Sequence, residues 1–290
     1  MTDALGPDLI RVTAPNPSPL TGQGTNTYVL GQDRVVIVDP GPNMDRHLGA
    51  ILQTVGERPV DHILLTHWHR DHSELAPRLS AAVDAPVLAF GHGTAGRSEI
   101  MQELARSGDI GGGEGADMTF RPDATLAGGS EIAHEGAPLI AHHTPGHFGG
   151  HLCFSWRDML FSGDHVMGWS TTLISPPDGD LTDFMASCAA LEQIPARVFY
   201  PGHGAEITAP GARIAELVTH RRAREAQICA ALAGRPATVA TLTELIYQDV
   251  SRTLWPAASR NVLAHLIDLT RRGCVTPKGP LTQGATFALT

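Results

Sequence analysis

The chain predicts an α/β fold of two packed sheets with helices outside, followed by a C-terminal winged-helix domain. Three observations carry this. Short β-branched runs alternate with amphipathic stretches over the first two thirds, and the texture turns helical near Gly211. Of the 15 histidines, against 3 tyrosines, five lie in motifs that follow predicted strands.

In order, residues 27–30 and 35–39 form strands joined across Gly31-Gln32-Asp33, a hairpin pattern. Residues 48–55 are a short amphipathic helix. Residues 62–66 are a buried strand that ends on polar residues, 73–79 resume as helix and 87–90 as strand. The glycine-rich stretch 107–117 has too little side chain to pack and is expected to be a mobile loop, a candidate lid. Strands follow at 131–134, 139–143, 151–155 and 159–162, then a helix at 181–193 and a last strand at 197–200. Beyond Gly211 come three helices, at 212–233, 241–249 and 255–272. The second starts on the capping-box pair Thr241 and Glu244, and Gly273 stops the third. The end, 274–290, alternates around Pro and Gly as a hairpin does, which completes the winged-helix order. The division expected is a catalytic domain at 1–210 and the winged helix at 211–290.

Composition narrows the function. With 42% hydrophobic and 18% charged residues the chain is neither disordered nor fibrous. No apolar run approaches the roughly 18 residues of a spanning helix, so no membrane partner is expected. Residues 1–19 lack a basic start followed by an apolar block, and Cys153, Cys188, Cys229 and Cys274 form no C-x-x-C pair. Both features point to a cytoplasmic protein with reduced thiols. Residues 1–204 hold 11 basic and 24 acidic groups, residues 205–290 hold 10 and 6. The acidic part repels polyanions; the tail is a separate, mildly basic unit.

The densest chemistry is Thr66-His67-Trp68-His69-Arg70-Asp71-His72 after a strand. Imidazoles and carboxylates are the usual ligands of a borderline cation such as zinc. In extended backbone His67 and His69 point to one side, and a turn into helix at Asp71 lets Asp71 and His72 serve a neighbouring site. Three further islands follow strands: Thr144-Pro145-Gly146-His147, Ser162-Gly163-Asp164 and Pro201-Gly202-His203-Gly204. Each is weak alone; in this order they are one constellation.

H-x-H-x-D-H, then G-H, G-D and P-G-H-G, resembles the metallo-β-lactamase superfamily over about residues 20–205. The resemblance implies an αββα sandwich with a dinuclear metal site at one edge. By position, His67, His69 and His147 would hold the first metal, Asp71, His72 and His203 the second, and Asp164 would bridge them. It further implies that Asp39 supports the ligands from behind. His165, beside the bridging acid, is a candidate for the same kind of support. Asn26, Tyr28 and His92 are candidates to touch substrate. His142, His143 and His151 are expected to satisfy backbone groups or face solvent. Zinc is the default for the two divalent ions, with iron or manganese as alternatives. True β-lactamases of this superfamily typically lack the bridging Asp, so Asp164 points to glyoxalase-II-like thioesterases or RNA-processing relatives. A metal-bridging hydroxide would attack, and Asp71 would hold it and shuttle its proton.

The tail, through Gln227-Ile228, Leu254-Trp255-Pro256-Ala257-Ala258 and the 261–266 segment, resembles a lactamase-like group that includes an endoribonuclease. Two substrates are therefore weighed. A small ester or thioester fits the acidic catalytic part and the short His147-to-Asp164 interval, which has no room for an inserted nucleic-acid-binding domain. Single-stranded RNA would need phosphate contacts from Arg213, Arg221, Arg222, Arg224, Arg271 or Arg272. The small molecule is favoured, and the tail is read as a cap beside the cleft whose arginines are solvated helix faces. Self-association is left open.

Overall fold

The structure is a computed structural model that describes all residues, 1–290. Seven strands form the first sheet in chain order: β1 (Thr2–Gly6), β2 (Leu9–Thr13), β3 (Asn26–Leu30), β4 (Val35–Val38), β5 (Val60–Leu64), β6 (Val87–Ala89) and β7 (Ala124–Thr125). Pairing is antiparallel through β4 and parallel from β4 to β7. The second sheet runs β12-β11-β10-β9-β8, from β8 (Glu131–Ile132), β9 (Leu139–His143), β10 (Leu152–Trp156), β11 (Met159–Gly163) and β12 (Val198–Pro201).

Alternation along the strands builds the layers. Val36 and Val38 of β4 face the inter-sheet core with Phe154 and Phe161, while Val35 and Ile37 face outward. That outer face is covered by α1 (Asp45–Val55) and α3 (Ala76–Val83) through Ile51, Val55 and Leu79. Cys153 and Leu160 of the second sheet face α5 (Leu181–Leu191) through Phe184 and Cys188. With both faces covered, β3, β4 and β10 are buried at every residue. The order helix, sheet, sheet, helix is the predicted sandwich.

The tail comprises α6 (Pro210–Gly234), α7 (Val239–Ile246) and α8 (Trp255–Arg271), with a small sheet β13-β15-β14 built from β13 (Ala237–Thr238), β14 (Val275–Pro277) and β15 (Thr286–Leu289). Its core around Leu263, Leu266 and Phe287 also takes in Met101, Leu104 and Ile110 from the first part of the chain.

Several expectations change. The 73–79 helix is two helices, α2 (Arg70–Ser73) and α3, and the strand predicted to Thr66 ends at Leu64. Helix α7 starts earlier and is capped by Thr238, whose side chain accepts from the Thr241 N–H; Thr241 itself lies inside the helix. Strands β1 and β2 and helix α4 (Glu99–Ser107) lie outside the elements read from the sequence, although β2 and α4 do carry apolar residues at the spacing of their element. The segment 107–117 does pack. Ile110 is buried in the tail core beside Met101 and Leu104 of α4, and Gly115 O and the Asp117 N–H bond to the Arg70 N–H and Trp68 O. The buried side chains of Ile110 and Ala116 and these backbone bonds together hold it.

Arg213, Arg221 and Arg224 are turned inward rather than solvated, while Arg222, Arg271 and Arg272 are exposed as expected. Arg213 donates to Met167 O and Ser170 O, and Arg221, buried on α6, donates to Thr172 O and Asn261 Oδ1. Arg224 lies over the Tyr247 ring, Arg271 pairs with Asp180, and Arg272 pairs with Glu225 and Asp268. Of the six arginines weighed for phosphate, Arg222 is the exposed one without such a partner.

Candidate metal centre

The seven expected ligand residues meet at one edge of the sandwich. Beyond β5 the extended chain delivers alternate side chains to opposite sides. His67 and His69 enter the edge with ring centroids 4.7 Å apart, while Trp68 between them is fully buried against Phe148 and Phe120. The single turn of α2 swings Asp71 and His72 back into the same space. His147 comes from the β9–β10 connection, Asp164 follows β11 and His203 follows β12. Gly146, at φ +145°, permits the approach of His147, since a Cβ there would fall 2.4 Å from the Phe184 Cα.

The atoms fall into sets whose members lie within 4.8 Å of one another: His67, His69 and His147; Asp71, His72 and His203; and Asp164 with His67 and His72. His69 Nδ1 is 2.9 Å from His67 Nε2 and 3.1 Å from His147 Nε2. Asp164 faces both halves, with Oδ2 3.3 Å from His203 Nε2 and 3.8 Å from His147 Nε2, and Oδ1 3.5 Å from His72 Nε2. Asp71 Oδ2 is 3.3 Å from His203 Nε2.

Outer hydrogen bonds fix which nitrogen faces inward in four of the five rings, whereas His69 turns its Nδ1 inward. The Nδ1 of His147 lies 2.7 Å from Leu173 O, that of His203 3.1 Å from Gly24 O, and that of His72 2.9 Å from Asp39 Oδ2. These oxygens only accept, so each Nδ1 carries a hydrogen and Nε2 is the atom left to bind. Thr66 donates its hydroxyl proton to Asp39 Oδ2 at 2.8 Å, so its oxygen accepts from His67 Nδ1 at 3.0 Å. Asp39 Oδ1 accepts the Thr66 N–H at 2.7 Å. One carboxylate thus orients ligand candidates from both sets, and Asp39 holds a left-handed φ of 54° to do so.

Electrostatics differ between the halves. Burial keeps His67, His69 and His147 neutral, His69 pushed down to about 3. Burial also disfavours charge on His72 and His203, but the facing Asp71 and Asp164 outweigh it, raising His203 to about 9 and His72 well above its ordinary value. Burial pushes the Asp71 carboxyl up, yet His72 and His203 hold it below the usual carboxylate range. It stays ionised and is 30% exposed to the cleft, against 10% for Asp164.

The supporting residues are distributed differently from expectation. Asn26 and Tyr28 are buried clamps on the loop that carries His203. Asn26 Nδ2 donates to Pro201 O and Gly204 O, and the Tyr28 hydroxyl donates to Pro201 O. His92 is exposed and does not line the cleft. His165 is buried below the site, its Nε2 3.7 Å from Cys188 Sγ. His151, expected to satisfy backbone or face solvent, is instead buried and stacked on His67 at 5.3 Å, bonded to Thr144. Thr25, which donates to Asp71 Oδ2 at 3.0 Å, was missed although its neighbours Asn26 and Tyr28 were singled out. Leu173 acts through its backbone and left no mark in the sequence.

A model of the metallo-beta-lactamase superfamily matches residues 20–203, and one of the beta-lactamase associated winged helix domain matches residues 238–280. The chain is 34% identical over 278 residues to a beta-lactamase-like protein 2 homolog of Drosophila melanogaster, covering 91% of this chain and 88% of that one. It is 31% identical over 238 residues to an atrochrysone carboxyl ACP thioesterase of Aspergillus fumigatus, covering 79% of this chain and 66% of the relative. A crystal structure of a metallo-beta-lactamase family protein from Thermus thermophilus superposes with TM-score 0.77 at 26% identity, covering 99% and 100% of the two chains.

Proposed function

Because this chain belongs to the metallo-beta-lactamase superfamily of hydrolases, we propose that it cleaves thioesters at a site holding two divalent metal ions between the His67 and His72 sets. The observation that carries the metal reading is the convergence of inward Nε2 atoms on Asp164. His72 Nε2 and Asp164 Oδ1 are buried without a hydrogen-bond partner, an arrangement costly for polar atoms and natural for ligands. The cradle is also kept clear by glycine: a Cβ on Gly202 would lie 2.4 Å from Asp164 Oδ1 and 2.6 Å from His72 Cε1.

In this reading His67, His69 and His147 would hold one ion and Asp71, His72 and His203 the other, with Asp164 facing both sets. Such ions, when bound, would supply acidification of water and stabilisation of negative charge on a scissile carbonyl oxygen. The chain supplies the rest. Asp39, Leu173 O and Gly24 O keep the imidazoles in the binding tautomer. Asp71, ionised, steadied by Thr25 and open to the cleft, positions the water and takes its proton. The name of the Aspergillus relative supports a thioester. The internal partners of Arg213, Arg221, Arg224, Arg271 and Arg272 support a small substrate over RNA.

Purified protein with its metal content measured is expected to hydrolyse acyl-glutathione or acyl-CoA and to lose that activity to a chelator. Chelator-sensitive cleavage of single-stranded RNA without thioester turnover would overturn the substrate assignment. Gly202→Ala is expected to push its methyl between Asp164 and His72 and to lower bound metal to less than half of the wild-type content. Full metal occupancy in that variant, read by elemental analysis, would exclude this placement of the second ion.

A further inference from the structure

We propose that the cavity between the sheet-edge loops and α8 is the acyl pocket of this site, with the winged-helix tail forming its far wall. The proposal rests on the thioesterase reading and names the part of the substrate that the tail contacts. Two cavities adjoin at the metal edge. One, of about 230 Å³, contains His69, Asp71, His147, Asp164 and His203. The other, of about 270 Å³, shares Leu20, His69, Glu114, His147 and Leu173 with it and continues to Pro256, Ala257, Ser259 and Arg260 of α8. A carbonyl placed at the shared histidines therefore has one substituent directed toward the tail.

The chemistry of the wall favours the acyl substituent there. Its exposed surface is mostly carbon, from Leu20, Leu173, Pro256, Ala257 and the stem of Arg260. Two of the charged heads are largely engaged elsewhere, although Arg260 Nη2, buried beside Gly112, has no partner. Arg260 Nη1 donates to Ile110 O at 2.7 Å and its Nε to Ser175 Oγ at 2.9 Å, while Asp178 is paired with Arg97. The unpaired Glu114 carboxylate disfavours a carrier's phosphate on this wall. The Arg260 guanidinium is seated against Gly111 and Gly112, where a Cβ would fall 3.2 Å and 2.7 Å from its nitrogens. The absence of side chains at Gly111 and Gly112 thus leaves room for the arginine head beside the cavity. The ligand class is an apolar acyl chain, and its length is read by α8.

The test uses metal-loaded, full-length protein and the acetyl and octanoyl thioesters of N-acetylcysteamine. Ala257 is only partly exposed and has room to be enlarged into the cavity. Ala257→Phe is expected to lower the octanoyl-to-acetyl ratio of kcat/KM by about 10-fold or more, the scale on which apolar pockets discriminate chain length. Ser259→Phe, on the same wall, gives the same shift if Ala257→Phe does not fold. An unchanged ratio in a folded variant overturns the pocket assignment. So does a variant that alters KM for octanoyl-CoA against octanoyl-N-acetylcysteamine without altering chain-length preference, because the cavity then holds the thiol arm. If wild-type protein turns over no thioester, the thioesterase reading fails, and the pocket is judged by calorimetric binding of octanoate. Binding that Ala257→Phe abolishes supports an acyl pocket; equal binding by both proteins, or none, overturns it.

Discussion

Asp164→Ala is expected to lower kcat/KM for a thioester by about 10³-fold or more, the largest effect of any single change in this chain. The reason is positional. Asp164 is the one carboxylate whose oxygens face His72 and His203 on one side and His147 on the other. Its removal weakens both halves together, whereas loss of a group behind the ligands costs a more modest 10- to 100-fold. Asp39→Asn supplies that comparison, since Asp39 touches His72 and Thr66 but faces no cleft. Metal stoichiometry separates the two variants as well: Asp164→Ala is expected to bind fewer ions, Asp39→Asn the same number more weakly. Retention of near wild-type activity in Asp164→Ala would sink the bridging assignment.

Arg221→Met is the second change with a large expected effect, and it acts from the tail. Burial pushes the Arg221 guanidinium down to about 10, a penalty of about 3 kcal/mol against its charged form. Its hydrogen bonds to Thr172 O and Asn261 Oδ1, each worth about 1.5–3 kcal/mol, roughly offset that cost. The charge alone therefore contributes little, as is common for buried ions. What methionine fails to replace is the partner of Thr172 O, a buried acceptor whose orphaning costs about 1–3 kcal/mol. A stability loss of about 2 kcal/mol is expected, read from denaturant unfolding of the metal-free chain.

The same bracket reaches the metal edge. Asn261 Oδ1 accepts the Ile174 N–H at 3.1 Å, and Leu173 between these anchors offers its carbonyl to His147 Nδ1. Loosening the bracket is thus expected to weaken metal binding by about 10-fold, measured by competition with a chelating dye. Arg221→Lys should not rescue it, because an ammonium cannot span both acceptors as the planar fork does. A variant that is less stable yet binds metal with unchanged affinity would show that the tail does not support His147.

How much of this was legible depends on whether a residue acts through its own side chain and its sequence neighbours. The His67–His72 run could be read because strand alternation and one helical turn are local rules, and the structure places those side chains as the rules say. His147, Asp164 and His203 were legible as strand–turn–residue islands, with Gly146 and Gly202 marking close approaches. Asp39 was found through a resemblance, and its contacts to Thr66 and His72 supply the physical content. His92 failed because a histidine after a strand and beside glycine has the same local pattern whether it lines a cleft or faces solvent. The 107–117 loop failed because glycine content reports missing side chains, not the backbone bonds and the Arg260 head that hold it.

The sequence by itself determined the layered α/β sandwich, the winged-helix tail and the set of imidazoles and carboxylates, since periodicity, turn chemistry and ligand type are encoded residue by residue. Tertiary structure alone decided which nitrogen of His147 and His203 faces inward, because the deciding acceptors, Leu173 O and Gly24 O, are backbone atoms 26 and 179 residues away. It alone decided the fate of the tail arginines as well. A basic helix reads the same whether its charges meet phosphate or the carbonyls of a distant loop, and only the packing of α6 and α8 against residues 167–175 brings those carbonyls within reach.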